Sequence, residues 1–350
     1  MFHRRQILAG AAGAAIAIRL PNLSDAHAAA ADTLEIAQPW EIKSLIPREG
    51  GYHWTRAGVT QTLVTVEPDG SLSPCLATSW NASEDARIWR FNLRPGVLFH
   101  DGTPADPAAI LDAVRRLLPK SQYPSTAGIT SVELDGATLV IRTSAPFALM
   151  PAYMTDNSMP ILARTSFDDK NEVVRMIGTG PFKVDATDLP RSLKLSRHDA
   201  YWGKKASYAR ANFQAVANGE TRANIAVAGD ADAVFNLPNP SVARVSGAGQ
   251  MRIDRIVVPR THILMPNVAM PQFAEAATRR ALSMAIDRTA IATTIMRNPA
   301  LAATHYLPPT FKDWAFRDIA PLSHDPVKAN KLLDEAGWVR GADGIRAKNG

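Results

Sequence analysis

From Trp89 to Leu93, apolar Trp89, Phe91 and Leu93 alternate with polar Arg90 and Asn92. That period of two predicts a strand with one buried face. Thr33–Ala37, Phe182–Val184, Thr138–Thr143 and Ser192–Ser196 read as strands in the same way, and Thr60–Val66 leads into the turn Pro68-Asp69-Gly70. Pro95-Gly96 and Asp101-Gly102 punctuate Trp89–Pro104, so His100-Asp101 falls at a hairpin end. Elsewhere the spacing becomes helical. Asp106-Pro107 opens a helix carrying Ile110, Leu111, Val114, Leu117 and Leu118 on one stripe. A second helix is predicted over Glu275–Met296, with Leu282, Ala285, Ile286, Ala292 and Met296 on one face and Arg280 and Asp287 opposite. A third starts at Asp325-Pro326, places Ala329, Leu332, Leu333 and Ala336 together, and stops at Gly337. Strands mixed with helices at irregular intervals predict α/β layers with mixed sheets and flanking helices.

Composition narrows the class. The 350 residues are 46% hydrophobic and 21% charged, an ordinary globular balance with room for two or three domains. The net charge of +6 comes from scattered residues without a basic run, which argues against nucleic-acid binding. Cys75 is the single cysteine and reads as a buried thiol, which excludes an intrachain disulfide. Residues 1–28 read as an export leader of the twin-arginine type: Arg4-Arg5, then an Ala/Gly-rich stretch from Ala9 to Ile18, then Ala26-His27-Ala28. A periplasmic location follows as an expectation. No later stretch reaches the length of apolar sequence that a membrane span needs.

Catalytic motifs are absent: there is no G-x-S-x-G, H-E-x-x-H, P-loop or G-x-G-x-x-G. In Gly178-Thr179-Gly180-Pro181, Pro181 lacks the amide that a phosphate cradle needs, so the string reads as a structural turn. His100-Asp101 and His198-Asp199 are adjacent pairs whose side chains diverge on a strand, so neither reads as a metal or acid–base pair. No catalytic residue, metal ligand or cofactor is assigned. The positive signal is aromatic. Trp40, Tyr52, His53 and Trp54 crowd one polar loop, either lining a small-molecule cleft or packing between the loop and the domain body. Asn157 and Met159, in the string Asp156–Met159, and His262, in the crossover Pro259–His262, are further ligand candidates. Trp80, Trp89, Trp202 and Trp338 sit in patterned elements and read as core.

A family resemblance rests on ordered strings along the chain: Leu76-Ala77-x-Ser79-Trp80, Trp89–Pro104, Gly178–Phe182, Asp199-Ala200-Tyr201-Trp202-Gly203 and Gly229-Asp230-Ala231-Asp232. Arg280-Ala281-Leu282 with Ala285–Arg288, Leu307-Pro308-Pro309, Asp325-Pro326-x-Lys328-Ala329 and Leu332–Trp338 complete the series. In order and spacing the chain resembles family 5 of bacterial extracellular solute-binding proteins, the receptors of peptide and nickel ABC importers. The resemblance implies a two-lobed periplasmic binding protein fold, class II-like, with lobe I over 29–260 and the first part of lobe II over 261–350. Members are longer, so the second lobe is expected to be incomplete, with unpaired edges and apolar surface exposed from about Thr261.

The resemblance also implies a non-enzymatic monomer. It would close around a small peptide or other small solute and deliver it to the permease subunits of a membrane complex. The expected ligand is a di- or oligopeptide. The alternatives are a nickel chelate or another small solute, a chaperone or sensor on the same scaffold, and, in a different class, a secreted hydrolase with a dispersed triad.

Overall fold

The computed structural model describes residues 15–19, 32–121, 126–256, 260–307, 315 and 318–348, the first of these as backbone only. Arg4-Arg5, Ala26-His27-Ala28, and Pro259 and Pro308-Pro309 of the strings above lie outside the described residues. The chain divides into two compact units, one formed chiefly by Ile16–Leu237 with Arg244–Asp254, the other chiefly by Arg255–Gly350.

In the first unit, β1 (Ala15–Arg19) and β2 (Thr33–Gln38) precede a short hairpin of β3 (Val64–Val66) and β4 (Leu72–Pro74). Strands β5 (Ala77–Ala82), β6 (Ile88–Leu93), β7 (Ile129–Asp135) and β8 (Thr138–Thr143) follow, then β9 (Phe182–Asp188), β10 (Ser192–Arg197), β11 (Arg210–Ala215), β12 (Ala233–Leu237) and β13 (Met251–Asp254). Two sheets result, a seven-stranded one in the order β13-β1-β12-β2-β11-β10-β9 and a four-stranded one in the order β5-β6-β8-β7. The first is mixed. β11 and β12 both run parallel to β2, whereas β10 pairs antiparallel with β9 and β11. The strand β1 falls inside the segment read as the leader and pairs antiparallel with β13.

The alternation in Trp89–Leu93 does what its period requires. Trp89, Phe91 and Leu93 are buried while Asn92 is exposed, and Phe91 faces Leu139 of β8 across the sheet. The helix Pro107–Leu117 covers that face with Ile110, Ala113, Val114 and Leu117, and Asp106 caps it by accepting from the Ala109 amide. Gln61 is a polar anchor of the core. Its side-chain oxygen accepts from Thr179 Oγ1 at 3.0 Å and Trp202 Nε1 at 2.9 Å, while its amide donates to Tyr201 Oη at 3.1 Å.

The second unit departs from the sequence reading in one place. The helix expected over Glu275–Met296 is broken: Ala276–Ala285 ends where Ile286 turns extended, and a new turn starts at Arg288. Asp287 causes the restart by accepting from the Ala290 amide. Arg288 closes the first segment by donating to Ser283 O. The buried face before the break also differs from the expected one. Ala281 and Met284 pack on Ala329, while Leu282 is exposed. The helix Pro326–Glu335 matches expectation, with Asp325 as its cap and Gly337 at φ +81 just beyond its end. Trp338, read as core, is half-buried. Several large apolar side chains of this unit face outward, among them Leu264, Met265, Val327, Val339 and Ile345.

Candidate functional site

The three parallel strands β11, β2 and β12 end at the same edge of the seven-stranded sheet, the edge at which open α/β sheets hold ligands. Trp40 lies two residues beyond β2, and its ring meets Phe235 of β12 at 5.9 Å and His53 at 6.4 Å, both tilted. Tilted contacts of this kind let the electron-poor edge of one ring approach the face of another. His53 opens a one-turn helix, His53–Arg56. Its pKa is lowered first by burial and then by the neighbouring Arg56 guanidinium, so near neutral pH it presents a neutral imidazole. Tyr52, 54% exposed, lies under the Arg56 guanidinium at 5.1 Å from its ring centroid. Trp40, Tyr52, His53 and Arg56 thus form a half-open shelf, apolar on its faces and cationic at one end.

The other sequence candidates are placed differently. Trp54 belongs to the core at 2% exposure, its indole N–H donating to Ser44 O at 3.2 Å, where it pins the loop that carries the shelf. Met159 is likewise a core residue. Its neighbour Asn157 is half-buried, in a turn closed by the Ser158 amide donating to Asp156 Oδ1 at 2.7 Å. That stretch runs beside the chain leaving the shelf: the Ile161 amide donates to Gln61 O and the Val64 amide to Met154 O. His262 is exposed in the second unit.

Two groupings escaped the sequence reading. His100 and His198, each set aside with its own aspartate, meet each other. Their rings are 5.0 Å apart and edge-on, and both direct a ring nitrogen at Gly180 O, at 3.0 and 3.2 Å. The second is Arg222, whose guanidinium is buried at the carboxyl ends of β11 and β12. Only the tertiary fold joins these residues, and no local periodicity signals them. The Gly178–Pro181 string is a packing turn, as read. A Cβ at Gly180 would stand 2.1 Å from Gly58 O.

Comparison with known proteins bears on the family and the fold. The chain is 29% identical over 342 residues to the nickel-binding periplasmic protein of Escherichia coli K12, covering 93% of this chain and 65% of that protein. It is 24% identical over 291 residues to the glutathione-binding protein GsiB of Shigella flexneri, covering 80% of this chain and 56% of that protein. It therefore spans less than two thirds of the length of these relatives. Among solved structures it is similar to NikA of Brucella suis in complex with Fe(III)-EDTA, at a TM-score of 0.74 and 25% identity, covering 91% of this chain and 67% of that one. The fold is that of the two-lobed periplasmic binding proteins. Residues 71–349 match the family described as bacterial extracellular solute-binding proteins, family 5 Middle, and the chain belongs to that family.

Proposed function

We propose that this chain is an extracytoplasmic solute receptor of an ABC importer, exported by its twin-arginine leader, and that it takes its solute on the shelf formed by Trp40, Tyr52, His53 and Arg56, with Asn157 as a further contact. It carries out no chemistry on that solute and hands it to the permease subunits. Trp54 and Met159 support this face from within the core. The single observation behind the placement is the convergence of Trp40, His53 and Phe235 at the carboxyl edge of the parallel strands.

The solute is a nickel chelate. One imidazole cannot strip a divalent ion of its water, but a neutral imidazole beside aromatic faces can complete the coordination of an ion that arrives with its own small ligands. The likeness to a nickel-binding periplasmic protein over nearly the whole chain supports this choice. A second reading, a small peptide, draws on the likeness to a glutathione-binding protein. In that case Arg56 would meet a carboxylate and the aromatic rings the side chains.

Thermal unfolding of the full chain with nickel–histidine, glutathione and a panel of di- and oligopeptides tests these readings. A ligand at a hundredfold excess over its Kd adds about 2.7 kcal/mol to the stability of the state that it binds. A rise in Tm with nickel–histidine that His53→Ala removes is the expected result. A rise with peptides alone selects the second reading. The receptor assignment fails if no solute shifts Tm.

A further inference from the structure

Arg222 lies in the first turn of the helix Gly219–Ala228, which connects β11 to β12. Its side chain is 5% exposed and makes four hydrogen bonds, all to main-chain carbonyls. Nη1 donates to Val216 O at 2.6 Å and Ala217 O at 2.9 Å, Nε to Phe235 O at 3.0 Å and Nη2 to Asn236 O at 2.7 Å. Burial without a carboxylate partner lowers its pKa, although a guanidinium remains charged. Such an arrangement is costly unless every donor finds an acceptor, and these carbonyls follow the points where the pairing of β11 and β12 with β2 stops. A guanidinium can serve four acceptors in a plane, whereas an ammonium has three donors at a single point.

The backbone is shaped to suit it. Successive carbonyls of a regular strand point to opposite sides, yet those of Phe235 and Asn236 accept from one guanidinium. Asn236 makes this possible by adopting φ +54, a conformation that asparagine tolerates better than most side chains. Two routes then lead from Arg222 to the shelf. On one, the Phe235 backbone is clamped and its ring lies against Trp40. On the other, Val216 is clamped through its carbonyl, its amide donates to Gln38 O at 2.7 Å, and the Gln38 side chain donates to Trp40 O at 3.1 Å. From Trp40 the contact continues to His53.

We propose that Arg222 is a positioning residue for the solute face, fixing Trp40 and through it His53 from the far side of the sheet edge. This rests on the shelf being the solute face, but its test does not. In the full chain labelled with fluorotryptophan, Arg222→Lys should shift the ¹⁹F resonance of Trp40, assigned by Trp40→Phe. It should also move the pKa of His53 upward toward 6.5 as the ring loses its cover. The titration of His100 should stay unchanged. Affinity for nickel–histidine should fall about ten- to hundredfold, the range for groups that hold a ligand set in place. Asn236→Gly keeps the positive φ and should leave both signals as they are. Asn236→Val opposes it and should reproduce the Arg222→Lys signature, which keeps the test open if Arg222 variants do not fold. A lower stability with unmoved Trp40 and His53 signals would overturn the proposal and make Arg222 a packing residue only. If both signals move while solute affinity does not, the positioning role stands and the shelf is not the solute face.

Discussion

Acidification should weaken the first unit through His100 in particular. A carbonyl oxygen only accepts, so the two nitrogens facing Gly180 O, His100 Nε2 and His198 Nδ1, each carry hydrogen. His100 Nδ1 is then a buried lone pair, with no partner among the described residues. Protonating it would place a charge in a desolvated site, close to His198 and Lys183, against a weaker pull from Asp101. Burial is the largest cause, and the His100 pKa falls from 6.5 to about 4. The group is neutral in the fold and titrates near 6.5 in the unfolded chain, so the unfolded state binds the extra proton. Its contribution is complete above about pH 6.5, declines as pH falls through 6.5, and is lost near pH 4. At about 1.4 kcal/mol per pH unit of displacement, the full loss is about 3 kcal/mol. His198, also lowered by burial, acts in the same direction.

His100→Gln isolates the effect because an amide can still donate to Gly180 O but does not titrate. Urea unfolding at a series of pH values between about 7.5 and 4, followed through the buried Trp54 and Trp89, should show the two chains converging on acidification. The variant should start less stable and lose about 2–3 kcal/mol less than the parent over that range. Carboxylate titrations are common to both chains and cancel in the difference. Parallel stability curves for parent and variant would refute the reasoning, because a solvated His100 would then behave alike in both states.

Three further outcomes follow from packing and burial. Gly180→Ala should cost about 3–5 kcal/mol, since its Cβ would meet main-chain Gly58 O, which has no room to move. Gly247→Ala, which meets nothing within 4 Å at the end of a helix, should be neutral or stabilise by up to about 1 kcal/mol, and the pair of urea midpoints checks both. Burial pushes the Cys75 thiol up to about 11, so a thiol reagent near pH 8 should label it only at the rate at which the unit opens. Rapid stoichiometric labelling in native buffer would contradict that.

What could be read from the chain beforehand divides along a physical line. Residues whose partners lie within a turn or a hairpin announced themselves: the alternation at Trp89–Leu93, the cap at Asp106 and the stop at Gly337 all depend on neighbours a few residues away. The split of Glu275–Met296 was local too, but it was masked by an apolar spacing that continues across Asp287, and only the cap hydrogen bond shows the restart. The aromatic loop was legible as a cluster but not as a geometry. The same four-residue crowd sends Trp54 into the core and leaves Tyr52 outside, because the turn His53–Arg56 rotates successive side chains to different faces. The least legible residues are those that matter through the sheet edge. Nothing around Arg222 in sequence separates it from a surface arginine of an amphipathic helix, since its four acceptors come from two segments that only the parallel pairing of β11 and β12 with β2 brings together. The ends of parallel strands leave carbonyls without a ladder partner, and here a side chain that no local pattern specifies meets four of them. The edge that needs such a clamp is also the edge where a solute finds open space.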